Sequence, residues 1–113
     1  MGENEGDKAH RKALEFIASH PGKFGFKDVV DFKIEDALRH EGKTIVEVDV
    51  IFFTSEGDVI LVEYKNSDDK SRIARQQLTR AAWWFGRYRP DVPYNKIHSK
   101  IVQGYHPAFK EID

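Results

Sequence analysis

The chain contains no cysteine, so it has neither a disulfide framework nor a thiolate-ligated metal centre. Prolines are few, and the glycines never gather into a loop that could cradle phosphate. Gly57 and Gly86 stand alone and Pro21-Gly22 reads as a helix stop, which argues against a nucleotide-binding turn. No apolar run approaches the length of a membrane span, and the first residues, rich in Glu, Asp and Gly, are unlike a secretory signal. The expectation is a cytoplasmic, intracellular protein without membrane contact. Metal-ligand spacing is also missing among the histidines. His10, His20, His40, His98 and His106 lie far apart with no His-X-X-X-His, and each reads as a surface or packing residue. Nor does one charge dominate: a formal net charge of −1 removes overall basicity as an argument for nucleic acid.

What is present is charge in uneven blocks. Residues 1–64 hold 8 Lys/Arg against 14 Asp/Glu, residues 65–89 hold 7 against 2, and residues 90–113 hold 3 against 3. The middle block is therefore the one suited to a polyanion. A chain of 113 residues with 40% hydrophobic content supports one domain around a modest core, residues 1–6 forming a flexible acidic lead-in.

Charges also occur where they need a reason. Val46-Glu47-Val48-Asp49-Val50-Ile51-Phe52-Phe53 and Val59-Ile60-Leu61-Val62-Glu63-Tyr64-Lys65 read as hairpin strands buried on both faces, where an uncompensated charge is costly. Ser55-Glu56-Gly57 fits a three-residue loop with Gly57 in the left-handed position. Thr54 then faces Asp58, Asp49 faces Glu63 and Glu47 faces Lys65, and the alternation of side chains puts Asp49, Glu63, Glu47 and Lys65 on one face. A two-residue Glu56-Gly57 turn would slip the pairing by one and carry Glu63 to the other face, so the cluster depends on register.

Carboxylates about 5 Å apart repel by roughly 3 kcal/mol at an effective dielectric of about 20. A divalent cation offsets this. Asp49 and Glu63 supply hard oxygen ligands, the backbone carbonyl of Tyr64 adds another, and magnesium or manganese suits such an all-oxygen set. Glu47 is a further candidate, as a second-metal ligand or as the acid that holds Lys65. Lys65 supplies the cation that phosphodiester chemistry uses to hold phosphate and stabilise developing negative charge. The bland alternative is a charge ladder at the rim of the sheet, with Glu47 bridged to Lys65 and the other two carboxylates solvated.

Asp49 followed on the next strand by Glu63-Tyr64-Lys65 resembles the motif of the PD-(D/E)XK, or restriction-endonuclease-like, nuclease superfamily. Val48 stands where the name-giving proline would be. The pattern Glu-Val-Asp, Glu-Tyr-Lys-Asn is most similar to the nuclease-related NERD branch, with archaeal Holliday-junction resolvases a more distant comparison. The resemblance implies an α/β fold with a restriction-endonuclease-like core, a mixed central sheet flanked by helices, and metal-dependent hydrolysis of DNA.

The rest of the chain reads compatibly. Asp7 caps a helix to about His20 with the stripe Ala9, Ala13, Phe16 and Ile17; a strand runs from Phe24 to about Ile34; and Glu35 to Gly42 is a polar connection. The hairpin follows, beginning at Thr44 and ending near Asn66. Ser67-Asp68-Asp69 caps a second helix that stops near Tyr88, ahead of Pro90, and Lys96 to Tyr105 forms a last strand at or near an edge. The resulting order, α-β-β-β-α-β, agrees with what the resemblance implies. Glu15 on the first helix is a minor candidate acid, because some members of the superfamily bring such a residue to the metal.

Helical spacing predicts that Ile73, Gln77, Ala81, Trp84, Phe85 and Tyr88 pack on the sheet. Gln77 is the polar exception, placed to bond a metal-bound water, phosphate or Glu63; the alternative is a buried glutamine bonded to backbone. Some branches of the superfamily carry a glutamine on this helix. The opposite face, Arg72, Arg75, Gln76, Thr79, Arg80, Trp83 and Arg87, reads as a DNA-backbone track on which Trp83 stacks on an unpaired base, or as an ordinary solvated face.

The leading expectation is a magnesium-dependent deoxyribonuclease in which Asp49, Glu63, Lys65 and Gln77 act. With no separate specificity domain, its selectivity would come from substrate structure or a partner. A homodimer is expected, since paired cuts need two sites. The alternative classes are a non-catalytic nucleic-acid- or protein-binding module on the same fold and a hydrolase of other phosphate esters.

Overall fold

The computed structural model describes residues 5–65, 71–104 and 110–112, the last three by backbone only. Helix α1 spans Glu5–Ser19, and a 3₁₀ turn follows at Pro21–Phe24. Strands β1 (Val29–His40), β2 (Lys43–Thr54) and β3 (Val59–Lys65) lead to helix α2 (Ser71–Tyr88). A 3₁₀ turn at Tyr94–Lys96, β4 (Ile97–Gln103) and the short β5 (Lys110–Ile112) complete the fold. The strands form one mixed sheet in chain order. Only β3 and β4 are parallel, with α2 as their crossover, and every other pair is antiparallel. The helices cover opposite faces, giving an α/β sandwich. No helix among the described residues is long and apolar enough to cross a membrane.

Each face has its own core. Under α1, Ala13, Leu14 and Ile17 meet Val50, Phe52, Val62 and Val102. Under α2, Ala74, Leu78, Ala81 and Phe85 meet Val48, Ile51, Leu61 and Ile101. The central strand β3 is buried on both sides, which explains why its sequence is apolar without alternation. Each fully buried large side chain contributes about 1.5–3 kcal/mol.

The hairpin has the predicted three-residue loop. Thr54 N–H donates to the Asp58 carbonyl at 3.0 Å, and Gly57 takes φ +86°. Val50 pairs with Val62 and Phe53 with Val59, the register that brings Asp49 towards Glu63.

Several expectations are corrected. The α1 stripe is Ala13, Leu14, Ile17 and Ala18, with Phe16 packed against it half-buried; Ala9 is exposed, and the helix already begins at Glu5 inside the expected lead-in. The strand expected from Phe24 begins only at Val29, because Pro21–Phe24 turns and Gly25 takes φ +81°. It then continues through the expected connection as far as His40 and turns at Glu41-Gly42, both at positive φ, so polar residues occupy a long edge strand. The buried face of α2 is rotated by about one residue: Ala74 and Leu78 are inside, whereas Ile73 is 53% exposed. A fifth strand pairs with Ile101–Gln103, so β4 is covered over its second half. Ser67-Asp68-Asp69, Asn66, Tyr105 and His106 lie outside the described residues.

One irregularity positions the site. In β2, Val46 and Val48 join the α2-side core while Val50 and Phe52 join the α1-side core, although regular alternation would keep all four together. The strand therefore reverses its faces at Asp49. Opposite, β1 does the same: Ile34 packs on the α1 side and Leu38 on the α2 side, with Glu35 between them at φ +52°. A non-glycine residue held there stores on the order of 1 kcal/mol of backbone strain.

Candidate metal centre at the fork of the hairpin

The β2–β3 ladder stops at Val50–Val62. One step further, two carboxylates take over the bonding between the strands. Glu63 Oε2 accepts the Asp49 N–H and Asp49 Oδ2 accepts the Tyr64 N–H, each at 2.8 Å. The strands fork here, and each contributes a carboxylate that caps an amide of the other. Both acids are buried, Asp49 at 8% and Glu63 at 1% exposure.

Burial pushes the Glu63 carboxyl up to about 8, and the nearby Asp49 charge adds to the rise. The Asp49 amide and Lys65 oppose it. Metal-free, this carboxyl therefore holds its proton well above the usual carboxylate range. Its second oxygen, Oε1, is buried with no hydrogen-bond partner.

Two further buried side-chain oxygens among the described residues share that condition, Gln77 Oε1 and Gln103 Oε1. Gln103 pairs in register with Lys65 across the parallel β3–β4 ladder, as Ile101 does with Glu63. Ile101 faces α2, so Glu63, Lys65 and Gln103 all leave the sheet towards α2, the helix that bears Gln77. Unpartnered buried acceptors are rare and costly, on the order of 1–3 kcal/mol each. Three acceptors on this side of the sheet fit a cation or a metal-bound water, the donors they lack. Asp49 and Glu63 could supply anionic ligands for it. Tyr64 presents its carbonyl on the same strand edge as the N–H that reaches Asp49. Among the described residues no group of three or more His, Cys, Asp or Glu side chains is arranged to hold a metal ion, so the fit rests on two carboxylates and neutral oxygens.

The α1 side adds a residue that the sequence reading dismissed. His10 Nε2 lies 3.5 Å from Asp49 Oδ1, and its ring sits 5.7 Å from that of Tyr64. Its pKa is raised, chiefly by the hydrogen bond to Asp49. Arg11 on the same helix reaches Glu35 at 3.7 Å, across from the forked strand. Neither contact was visible in sequence spacing, although His10 continues the stripe of Ala13, Leu14 and Ile17 by one helical turn. Gln103 was missed because it ends a strand that reads as mixed.

The predicted residues are not all gathered. Asp49 and Glu63 meet at the fork, and the charge of Lys65 is near enough to act on Glu63. Glu47 is exposed and pairs with Ala37, because the face reversal at Asp49 turns it away from the other three; its charge still adds to the rise at Glu63. Glu15 is exposed on α1. Arg72, Arg75, Gln76, Thr79, Arg80, Trp83 and Arg87 do form the exposed face of α2. No family model matches the sequence, and neither the curated proteins nor the solved structures give a match.

Proposed function

We propose that this chain is a metal-dependent deoxyribonuclease with a restriction-endonuclease-like core of the PD-(D/E)XK type. The observation that carries the reading is the pair of mutually clamped, buried carboxylates with Glu63 Oε1 left unpartnered. A purely structural pair would be satisfied by protein donors, and this one is not.

Asp49, Glu63 and the Tyr64 carbonyl hold magnesium or manganese in this reading. When bound, the metal offsets the paired negative charge and polarises the phosphate. Lys65, half-buried on the same side of the sheet as Glu63, steadies the scissile phosphate and stabilises the charge that develops on it. Gln77 and Gln103 orient water through their unpartnered oxygens. His10 fixes the orientation of Asp49, the role that groups behind a ligand commonly serve. The basic outer face of α2 tracks the DNA backbone. In this reading selectivity comes from substrate structure or from a partner. A second copy would supply the second site that paired cuts require, and the edge strand β1, with Val30 and Phe32 exposed, offers it a surface.

The test is cleavage of labelled single-stranded, duplex, flapped and four-way-junction DNA with magnesium, manganese or EDTA, beside Asp49→Ala and Lys65→Ala. Metal-dependent cutting lost in both variants is the expected result. Folded protein inert on every substrate would overturn it. That outcome would favour a non-catalytic binding module.

A further inference from the structure

On the outer face of α2, away from the carboxylates, Thr79, Ala82, Trp83, Gly86 and Arg87 line an open groove of about 620 Å³ with Tyr94 from the following 3₁₀ turn. Its two aromatic rings are the unusual part. Trp83 is 50% and Tyr94 84% exposed, a large apolar surface left to water. Trp83 is also held from behind, its ring 6.1 Å edge-on from that of His40, which in turn bonds the Tyr88 hydroxyl.

Gly86 is the second anomaly. It sits near the end of an 18-residue helix, where glycine costs about 1 kcal/mol relative to alanine. Neither turn geometry nor packing requires it: its φ is not positive, and a Cβ added there would meet nothing within 4 Å. Gly86 lines the groove with Trp83 and Tyr94, and its missing side chain leaves that lining open.

Charge indicates the occupant. Residues 71–88 contain four arginines and no Asp or Glu, so Arg87 in the groove has no acid on its own helix to neutralise it. A flat, sequence-tolerant aromatic pair beside the Arg87 cation matches the stacking platforms that bind single-stranded nucleic acid.

We infer that this groove is a subsite for single-stranded DNA, an unpaired base entering between Trp83 and Tyr94 while Arg87 meets the adjoining phosphate. The inference deepens the nuclease reading by naming the form of its substrate. From Trp83 back to Arg72 the helix rises about 16 Å, so a strand seated in the groove would be led along the arginines towards the end of α2 that follows β3.

The test is anisotropy of a labelled oligothymidylate and of a blunt duplex of equal length, both in EDTA so that no cutting intervenes. Single-strand binding should weaken about tenfold in each of Trp83→Ala, Tyr94→Ala and Gly86→Leu, and persist in Tyr94→Phe and Gly86→Ala. The exposure of Tyr94 and the open space at Gly86 leave the fold intact in these variants. Equal affinity across them, or a duplex that binds as tightly with the same dependence, would overturn the groove. Metal-dependent cleavage measured on the same proteins separates the two ideas. Cutting without groove dependence removes only this inference, and groove-dependent binding without cutting removes only the catalytic reading.

Discussion

The β2–β3 hairpin ends differently at its two tips, although both carry a carboxylate from the same stretch of chain. At the closed tip, Asp58 lies 3.0 Å from His98 Nε2 and 3.9 Å from Lys96, and its pKa is lowered, chiefly by the bond to His98. At the forked tip, Glu63 is buried against a second acid and its pKa is raised. The surroundings decide the outcome. An acid given a hydrogen-bond partner and a lysine within its own fold is content as an anion and has nothing to recruit, whereas an acid set against another acid, with one oxygen unpartnered, is prepared for a cation brought from outside.

Catalysis would separate the tips most sharply. Asp49→Ala and Lys65→Ala should each lower metal-dependent DNA cleavage by about 10²–10³-fold, while Asp58→Asn leaves it unchanged; a gel-based rate assay reads all three. Equal losses at both tips would break the distinction.

The pH dependence of stability comes next. Because Glu63 holds its proton in the fold up to about 8 but in the unfolded chain only to about 4.5, the folded state binds the extra proton between those values. Stability of the metal-free protein is therefore greatest below that window and falls as pH rises through it, by up to about 1.4 kcal/mol per pH unit. The raised His10 pKa acts in the same sense, its contribution being present below 6.5 and lost as pH rises. Urea denaturation in chelator should show this decline in the native sequence and a shallower one in Glu63→Gln. At high pH, added magnesium should raise the melting temperature of the former and not of the latter.

Backbone conformation gives a smaller contrast of opposite sign. Gly57→Ala, at φ +86°, should lose about 1 kcal/mol, whereas Glu35→Gly, at φ +52°, should relieve strain and offset the entropy that glycine adds to the unfolded chain. Denaturant midpoints compare the two. Smallest of all, Asp58→Asn should destabilise only slightly, and only above the ordinary Asp range. Its lowered pKa contributes stability above 3.8 that is lost as pH falls, opposite to the trend at Glu63.

The sequence carried the register of the hairpin because turn chemistry and an apolar pattern act locally: Gly57 sets the loop, and counting from it places Asp49 beside Glu63. It carried the crossover helix for the same reason. What it did not carry depends on non-local geometry. The reversal of faces at Asp49 removes Glu47 from the cluster, yet no residue type announces it, since Val48 and Val50 are alike and only their packing partners differ. His10 reaches the site only because α1 crosses the sheet at that height. The rotation of α2 escaped because Ala74 weighs little in a periodicity count although it is fully buried. The second half of β1, from Glu35, read as a connection because an edge strand needs fewer apolar residues than a central one.

The mutual clamp of Asp49 and Glu63 also has a bearing on quality control during folding. The same two carboxylates close the last rung between β2 and β3 and form the pair that awaits a cation, so a hairpin mispaired by one residue loses the rung and the pair together. A molecule in the wrong register thus lacks the cation-ready pair as well as the rung, and the yield of that pair after refolding is a direct count of correctly threaded chains.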